Sequence, residues 1–322
     1  MLLKILKNIG NKGRLAEDAQ APVAVNPNNK IRIITPPHTV YLAHLVFKCF
    51  SSLGFEVSIN IGEYAAEDRE SYFVVLCPQV FKRLPDSFIA FQMEQAGTHW
   101  FDPGYLSILK NPRVRVLEYS SRNLPFLIEQ GVPEQHIRTA QLTTFHEYDA
   151  FLRQHNYIPA EKPTKDFDVL FYGGINERRF KALSKIDHRF RTKVAVGIFG
   201  PPLYELILRS RTVVNIHIHD TSPLESTRIF EALSLETPVV SESSPDIDDY
   251  IALDKGIKFS PAGNTDALLQ AIDATLQGQS PESGHPDWQS PSLAYGQFCQ
   301  SLEWAAAELG WSNPVLNGLG AK

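Results

Sequence analysis

The sequence predicts an α/β protein built on two open, mostly parallel sheets, and three observations carry that expectation. Short runs rich in β-branched and aromatic residues alternate with helical stretches up to about Thr144, the pattern of a parallel sheet covered by helices on both faces. The alternation lapses over 145–165, where aromatic and charged residues lead to Pro159 and Pro163, and restarts at Asp166. The 322 residues, 43% of them hydrophobic, suffice for two cores of ordinary domain size.

After a polar lead-in (1–29), the run IRIITPP reads as a first buried strand with a sharp stop. VYLAHLVFKCFSSLG follows with apolar residues at helical spacing and Gly54 as its cap. FEVSINIG, SYFVVLCP, DSFIAFQME and RVRVLEYSS are further strands, with GYLSILKN and NLPFLIEQG as short helices and IRTAQLT closing the set. Residues 30–144 are therefore expected as one Rossmann-like domain and 145–165 as a linker. In 166–278 the same pattern recurs. DFDVLFYGG, TKVAVGIFG, TVVNIHIHD, PVVSES and IKFSP are its strands; INERRFKALSKI, PLYELILRS, STRIFEALS and TDALLQAIDATLQG are its helices. A loop-like tail and the amphipathic stretch LAYGQFCQSLEWAAAELG occupy 279–322.

A net charge of −5 argues against a general nucleic-acid binder, so single arginines must do any phosphate work. Three widely spaced cysteines give neither a metal-ligand spacing nor a disulfide framework, which suits a reducing cytoplasm. No apolar run reaches the roughly 20 residues that span a bilayer. Residues 1–14 place Leu2, Ile5, Leu6 and Ile9 on one helical face among lysines. That suits either a peripheral foot on the inner face of an anionic membrane or a frayed or core-docked terminus. Dinucleotide-binding, Walker and nucleophile-elbow motifs are absent.

Ligands of such sheets bind beyond the C-terminal ends of the strands, so the loops there hold the candidates. In FYGGINERR, Gly173 and Gly174 allow close backbone approach, and Arg178 and Arg179 open the next helix as either a diphosphate clamp or a solvated face. Arg178 is taken for the clamp, with Arg228. The helix after TVVNIHIHD starts at Ser226 and Thr227, which are expected to cap it. Arg228 lies in its first turn and Glu231 three residues on. A helix start with a cation suits a phosphate, and a carboxylate one turn below suits the paired hydroxyls of a ribose. Strand alternation would put His217 and His219 on one side, beside Asn215; without a third ligand at a known spacing they are expected as hydrogen-bonded histidines. Glu94 at the end of FQMEQ and His38 in TPPHT are candidate bases, or alternatively a strand-end carboxylate and a helix cap. Tyr119, Ser120 and Asn123 begin a helix, as ordinary caps or as lining of the acceptor side. Asp246 and Asp248 read as acids at a helix start, and no metal is expected.

FEALSLETPVVSE resembles the nucleotide-sugar segment of GT-B glycosyltransferases of the glycosyl transferases group 1 type, and VVNIHIHDTSPLESTRIFEALSLETPVVSES is similar to the CgeB-like and capsule-associated subgroup. The resemblance implies the GT-B architecture, two Rossmann-like domains facing a cleft, with the acceptor on 30–144 and a nucleotide-sugar on 166–278. It assigns Glu231 to the donor ribose, and Glu94, ahead of His38, to the acceptor side, where Tyr119, Ser120 and Asn123 resemble a further element of related transferases. It also implies polysaccharide biosynthesis, with a glycan or lipid-linked envelope acceptor, no nucleic acid, and the nucleotide-sugar as a substrate with no cofactor. Two departures stand out. The family's Glu-x7-Glu pair has Pro223 eight residues before Glu231, with Glu225 nearby in another register, and Glu236 replaces the Gly that usually precedes Thr-Pro. The first keeps a catalytically silent sugar-nucleotide or glycan-binding module in view, beside a GT-B epimerase or hydrolase.

Overall fold

A computed structural model describes residues 29–62, 64, 68, 70–250, 256–278 and 291–312. The amphipathic N-terminal stretch and the loop at 279–290 lie outside the described residues. In chain order the first half contains β1 (Lys30–Thr35), α1 (Val40–Ser52), β2 (Glu56–Ile61), β3 (Tyr72–Leu76), β4 (Phe88–Gln92), α2 (Pro103–Leu109), β5 (Val114–Glu118), α3 (Leu124–Glu129), β6 (Ile137–Thr139) and α4 (Tyr148–Gln154). The second contains β7 (Phe167–Tyr172), α5 (Glu177–Asp187), β8 (Thr192–Ala195), α6 (Pro201–Leu208), β9 (Ser210–Asn215), α7 (Ser226–Ser234), β10 (Val239–Glu242), β11 (Ile257–Ser260), α8 (Thr265–Leu276) and α9 (Pro291–Glu308).

The strands form two parallel sheets, ordered β2-β1-β3-β4-β5-β6 and β11-β10-β9-β7-β8. Every residue of β3, β4 and β5 is buried, as their mainly apolar sequences require of strands covered on both faces; Gln92, Arg115 and Glu118 are the buried polar residues among them. Edge strand β2 instead has no fully buried residue and carries Ser58 and Asn60, so its exposed rim is polar. Strand order reverses between β1 and β3 and again between β7 and β9. Those two crevices are where open sheets of this kind take ligands. Helix α1 ends as expected at Gly54, whose φ of +83° closes it with a bond from Phe55 N to Phe50 O at 3.1 Å.

Three local expectations change. The stretch 145–165 contains helix α4, whose Tyr148 and Leu152 are fully buried. Phe145 and Tyr148 belong to the core, while Tyr157 is exposed. Strand β9 stops at Asn215, before either histidine, because beyond it the N–H groups of His217 and Ile218 bind the carboxylates of Glu242 and Glu225 at 2.8 and 3.0 Å. The two histidines therefore diverge: His217 is buried and His219 exposed. The acids after β10 precede a single 3-10 turn, Ile247–Asp249, and not a helix.

The two halves are joined by a buried seam. Tyr41 on α1 donates from its hydroxyl to Thr143 O at 2.6 Å and meets Ser234 Oγ of α7 at 2.8 Å, and Ser234 Oγ also accepts from Phe145 N at 2.8 Å. Beside it, His44 Nδ1 meets Tyr148 at 2.8 Å, and Tyr148 donates to Tyr204 of α6 at 3.1 Å. Burial pushes the His44 pKa down to about 3, so its ring stays neutral. Helix α9 returns to the first sheet, where Phe298 meets Phe91 at 6.0 Å and Ser301 Oγ donates to Thr139 O at 2.9 Å. Just beyond it Trp311 stacks on Tyr72 at 4.7 Å. Among the described residues no helix is long and apolar enough to cross a membrane.

Glu236 adopts φ +55° after α7, the left-handed position that favours glycine. Glu236→Gly is expected to stabilise the protein by about 0.5–1 kcal/mol, the loss of its exposed 2.8 Å pair with Lys162 offsetting part of the gain. Urea unfolding checks this; an unchanged or lower midpoint contradicts it.

Candidate active site in the interdomain cleft

The C-terminal ends of the two sheets face each other across a cleft of about 530 Å³. The first domain contributes the loops after β1, β3, β4 and β5, and the second those after β7, β8 and β9, together with the start of α7.

On the α7 side, two guanidinium groups share one carboxylate. Glu225 Oε1 accepts from Arg179 Nη2 at 2.5 Å and Oε2 from Arg228 Nη1 at 2.7 Å. Burial alone would raise the Glu225 pKa, but Arg228 and Arg179 outweigh it and hold the carboxyl below its ordinary value. Arg228 is fixed further by bonds to Tyr172 O at 2.7 Å and to Asn215 Oδ1, and it lies over the Phe171 ring. Its Nη2 makes none of these bonds and crosses the backbone of Gly173. A Cβ there would sit 2.5 Å from Nη2, and φ is +134°, so both space and conformation call for glycine. Gly174 has open space around it.

Glu231 is buried and yet lines the same cleft. Burial pushes its carboxyl up to about 7, against the opposing pull of the Tyr172 hydroxyl and the Arg228 charge. Ser226 and Thr227 also line the cleft, but they do not cap α7: the cap position belongs to Glu225, and the Ser226 hydroxyl is buried beside that of Tyr250. The α7 N-terminus is thus open toward the cleft.

The other donor-side candidates stand behind this wall. Arg178 faces an outer groove with Lys181 and Asp220, and its Nη1 and Nη2 grip Glu242 at 2.8 and 2.6 Å. Adjacent residues on a helix point about 100° apart, so only one of the arginine pair can face inward. Here that residue is Arg179. Asn215 donates to Ser241 Oγ at 2.8 Å and supports Arg228 from below. His217 Nε2 lies 3.1 Å from Glu242 O, and burial lowers the ring's pKa.

On the facing wall, Glu94 and His38 both line the cleft. Burial raises the Glu94 pKa while Gln79 Nε2, donating to its Oε1 at 2.8 Å, and the His99 charge oppose the rise. His38 is exposed to the cleft but walled by protein, which lowers its pKa; Cys77 Sγ is 3.9 Å from its Nε2 and the Phe199 ring 6.1 Å away. Tyr119 lines the cleft floor. Ser120 and Asn123 are buried beneath it and make internal bonds. Ser120 Oγ donates to Asp246 Oδ2 at 2.9 Å across the domain boundary, and the other oxygen of Asp246 holds Leu224 N at 2.9 Å. One acid of the Asp-x-Asp is thus a buried domain fastener. Among the described residues no group of three or more His, Cys, Asp or Glu is placed to hold a metal ion.

Sequence reasoning left Glu225 without a role, gave the clamp to Arg178 over Arg179, read Asp246 as a helix-start acid and not as a fastener, and passed over Glu118 and the wall residue Trp100. Glu225 carried the one available signal, an acid two residues from the expected position.

No protein-family model matches this sequence, and no curated protein matches it. Solved structures do. AviGT4, a glycosyltransferase involved in avilamycin A biosynthesis, is 13% identical with a TM-score of 0.54, over 90% of this chain and 98% of its own. A glycosyltransferase from Rickettsia africae (11% identity, TM-score 0.46, 90% and 97% coverage) and HepE from Anabaena in complex with UDP and glucose (10%, 0.46, 91% and 99%) are more distant. Two parallel sheets with flanking helices, matched by AviGT4 over nearly its whole length, define the fold as GT-B.

Gly173→Ala should cost about 1–3 kcal/mol of stability, through the strained φ and the displacement of Arg228. Denaturant unfolding measures it; Gly174→Ala, with open space around it, is the control expected to stay within about 0.5 kcal/mol of the parent.

Proposed function

We propose that this chain is a glycosyltransferase that moves a sugar from a nucleotide-sugar donor to a hydroxyl of a glycan or of a lipid-linked envelope acceptor, without a metal. The observation that carries the reading is the open start of α7, with Arg228 Nη2 and Glu231 both facing the cleft, opposite Glu94 and His38. The likeness of the fold to AviGT4, a named glycosyltransferase, supports it. Residues 166–278 act as the donor domain and 30–144 as the acceptor domain.

The diphosphate lies at the α7 N-terminus, where free N–H groups and the helix dipole favour an anion. Arg228 Nη2 supplies a directed donor, and Arg179 adds a fixed charge with each of its nitrogens already bonded. These groups stabilise the charge that gathers on the diphosphate as the sugar leaves. Ionised Glu231 accepts hydrogen bonds from the paired ribose hydroxyls. Glu94 takes the proton from the acceptor hydroxyl. Its raised pKa brings it closer to neutrality, where a general base works best. His38, neutral because its pKa is lowered, is the second candidate. The acceptor rests on the wall of Met93, His99 and Trp100, and the cleft shields the donor from water. The setting is polysaccharide assembly in the cytoplasm, at the inner face of the membrane where lipid-linked acceptors reside.

The test is calorimetric binding and nucleotide release with a panel of UDP-, GDP-, ADP- and dTDP-hexoses, with and without envelope glycans. Acceptor-dependent release is expected; tight binding without turnover on any acceptor would point to a silent module. Arg228→Ala should weaken donor binding about ten- to hundred-fold, as loss of a charged hydrogen bond does.

A pH dependence follows from Glu231. A nucleotide-sugar diphosphate does not titrate near neutrality, so wild-type affinity should rise between pH 6 and 8 as the carboxyl ionises through about 7. In Glu231→Gln the affinity should be lower at pH 8 and nearly flat. Equal slopes in the two proteins would remove Glu231 from the donor site.

A further inference from the structure

Directly behind the Glu94 loop lies a carboxylate with no solvent exposure, Glu118 at the end of β5. Its Oε1 accepts from Ser120 N at 2.9 Å and from Asn123 Nδ2 at 2.8 Å, and its Oε2 from Gln92 Nε2 at 2.7 Å. The two side chains it gathers are the ones that hold the backbone around Glu94. Asn123 Nδ2 and Gln92 Nε2 both donate to Glu94 O, at 2.9 and 2.8 Å. Gln92 Oε1 accepts from Glu94 N, and Asn123 Oδ1 from Ala96 N at 3.0 Å. Both polar groups of the Glu94 peptide backbone are thus held by side chains that Glu118 orders.

Burying a carboxyl is costly, and its presence needs a reason. An ionised carboxylate only accepts hydrogen bonds, and its two oxygens can take all three donors at once. Glutamine in its place would turn an N–H toward a donor. Burial raises its pKa to about 8, while the donors from Ser120, Asn123 and Gln92 pull the other way and favour the ionised form, so the acceptor set is completed as the carboxyl ionises around that value. A residue needed only to satisfy Ser120 N would not have to recruit Gln92 and Asn123 as well.

We propose that Glu118 is a positioning residue: through Gln92 and Asn123 it fixes the backbone of Glu94 and so aims the Glu94 side chain into the cleft. The role rests on the reading of Glu94 as the base. Ser120 extends the unit, since its N–H binds Glu118 while its hydroxyl binds Asp246 of the other domain. The loop that carries the base is thereby registered against the domain that carries Arg228.

The experiment uses the full chain labelled with carboxyl-¹³C glutamate, titrated by NMR, with the Glu94 resonance assigned by its loss in Glu94→Gln. The ionisable groups that face Glu94 are His99 on its own loop, Cys77 after β3 and Tyr105 on α2, with Glu118 behind on β5. Glu118→Gln removes both the support and a nearby ionisable group, whereas Asn123→Ala removes the support and one donor to Glu118 but leaves the carboxyl in place. In both variants Glu94 is expected to titrate at lower pH than in the wild type, because a loosened loop is better hydrated. Nucleotide release from the best donor of the panel should fall about ten- to hundred-fold in kcat, with donor Kd within about two-fold. An unmoved Glu94 titration and unchanged kcat in folded Asn123→Ala and Glu118→Gln, with only the melting temperature lowered, would overturn the proposal. A shifted Glu94 titration in both variants, with full turnover in Glu94→Gln, would uphold the positioning and remove Glu94 as base.

Discussion

The candidate site depends on one shared carboxylate. Glu225 stands between Arg179 and Arg228, and each guanidinium is also tied to backbone carbonyls at the ends of β7 and β9, to Gly174, Tyr172 and Ile216. A buried pair of like charges would repel at close range, and the anion between them removes that cost while adding directed bonds. Such a triad is weak as a source of stability, because desolvating three charges offsets most of their attraction. Its consequence is geometric. With all nitrogens of Arg179 occupied and Arg228 held at Nε and Nη1, one nitrogen of one arginine is left to meet a ligand at a fixed place above Gly173.

The seam between the halves serves the same constraint. Tyr41, Ser234 and Thr143 tie α1 to the C-terminal end of α7, while Asp246 ties Ser120 to Leu224 just before its N-terminal end. Helix α7 is therefore anchored to the first domain at both ends. Its first turn, facing the cleft, keeps its distance from the loops after β1 and β4. Helix α9 adds a third tie, distant from the cleft, by covering the first sheet with Phe298, Leu302 and Ala305. The side chains that line the cleft are thus free of the work of holding the domains together.

The alternation of strands and helices was legible because burial imposes it. Strands covered on both faces must be largely apolar: β3 is so throughout, and β4 and β5 are apart from Gln92, Arg115 and Glu118. Where polar side chains replace backbone ladders, legibility ends. Nothing in NIHIHD marks Asn215 as the last residue of β9, because the carboxylates that take over its N–H groups come from Glu225 and from Glu242 on a neighbouring strand. Arg178 and Arg179 are neighbours with the same chemistry, and only the phase of α5 against β9 decides which faces the cleft. Tyr148 in α4 looked like part of a linker because its partners, His44 and Tyr204, are far away in sequence. Glu94 and Glu231 were readable as a strand-end acid and a helix acid, and both line the cleft. Glu118 was not, since an acid inside an apolar strand shows its purpose only when Gln92 and Asn123 are seen around it.

Glu94, Glu118 and Glu231, at or behind the cleft, share an electrostatic character that runs against stability. Glu231 at about 7 and Glu118 at about 8 owe their raised values first to burial. Between the ordinary carboxylate pKa and those values, the folded protein binds more protons than the unfolded chain, so each group withdraws stability as pH rises through that window. Glu225 and Asp168, held low by arginines, act in the opposite sense and withdraw stability as pH falls below the ordinary range. The two sets differ in what surrounds them: the depressed carboxyls have arginines at hydrogen-bond distance, the raised ones have mainly neutral partners. A fold selected for stability alone would place apolar side chains at these buried positions. Leaving Glu231 and Glu118 without a cation at hydrogen-bond distance keeps their hydrogen-bonding capacity for hydroxyls and amides, which is what the roles proposed for them require.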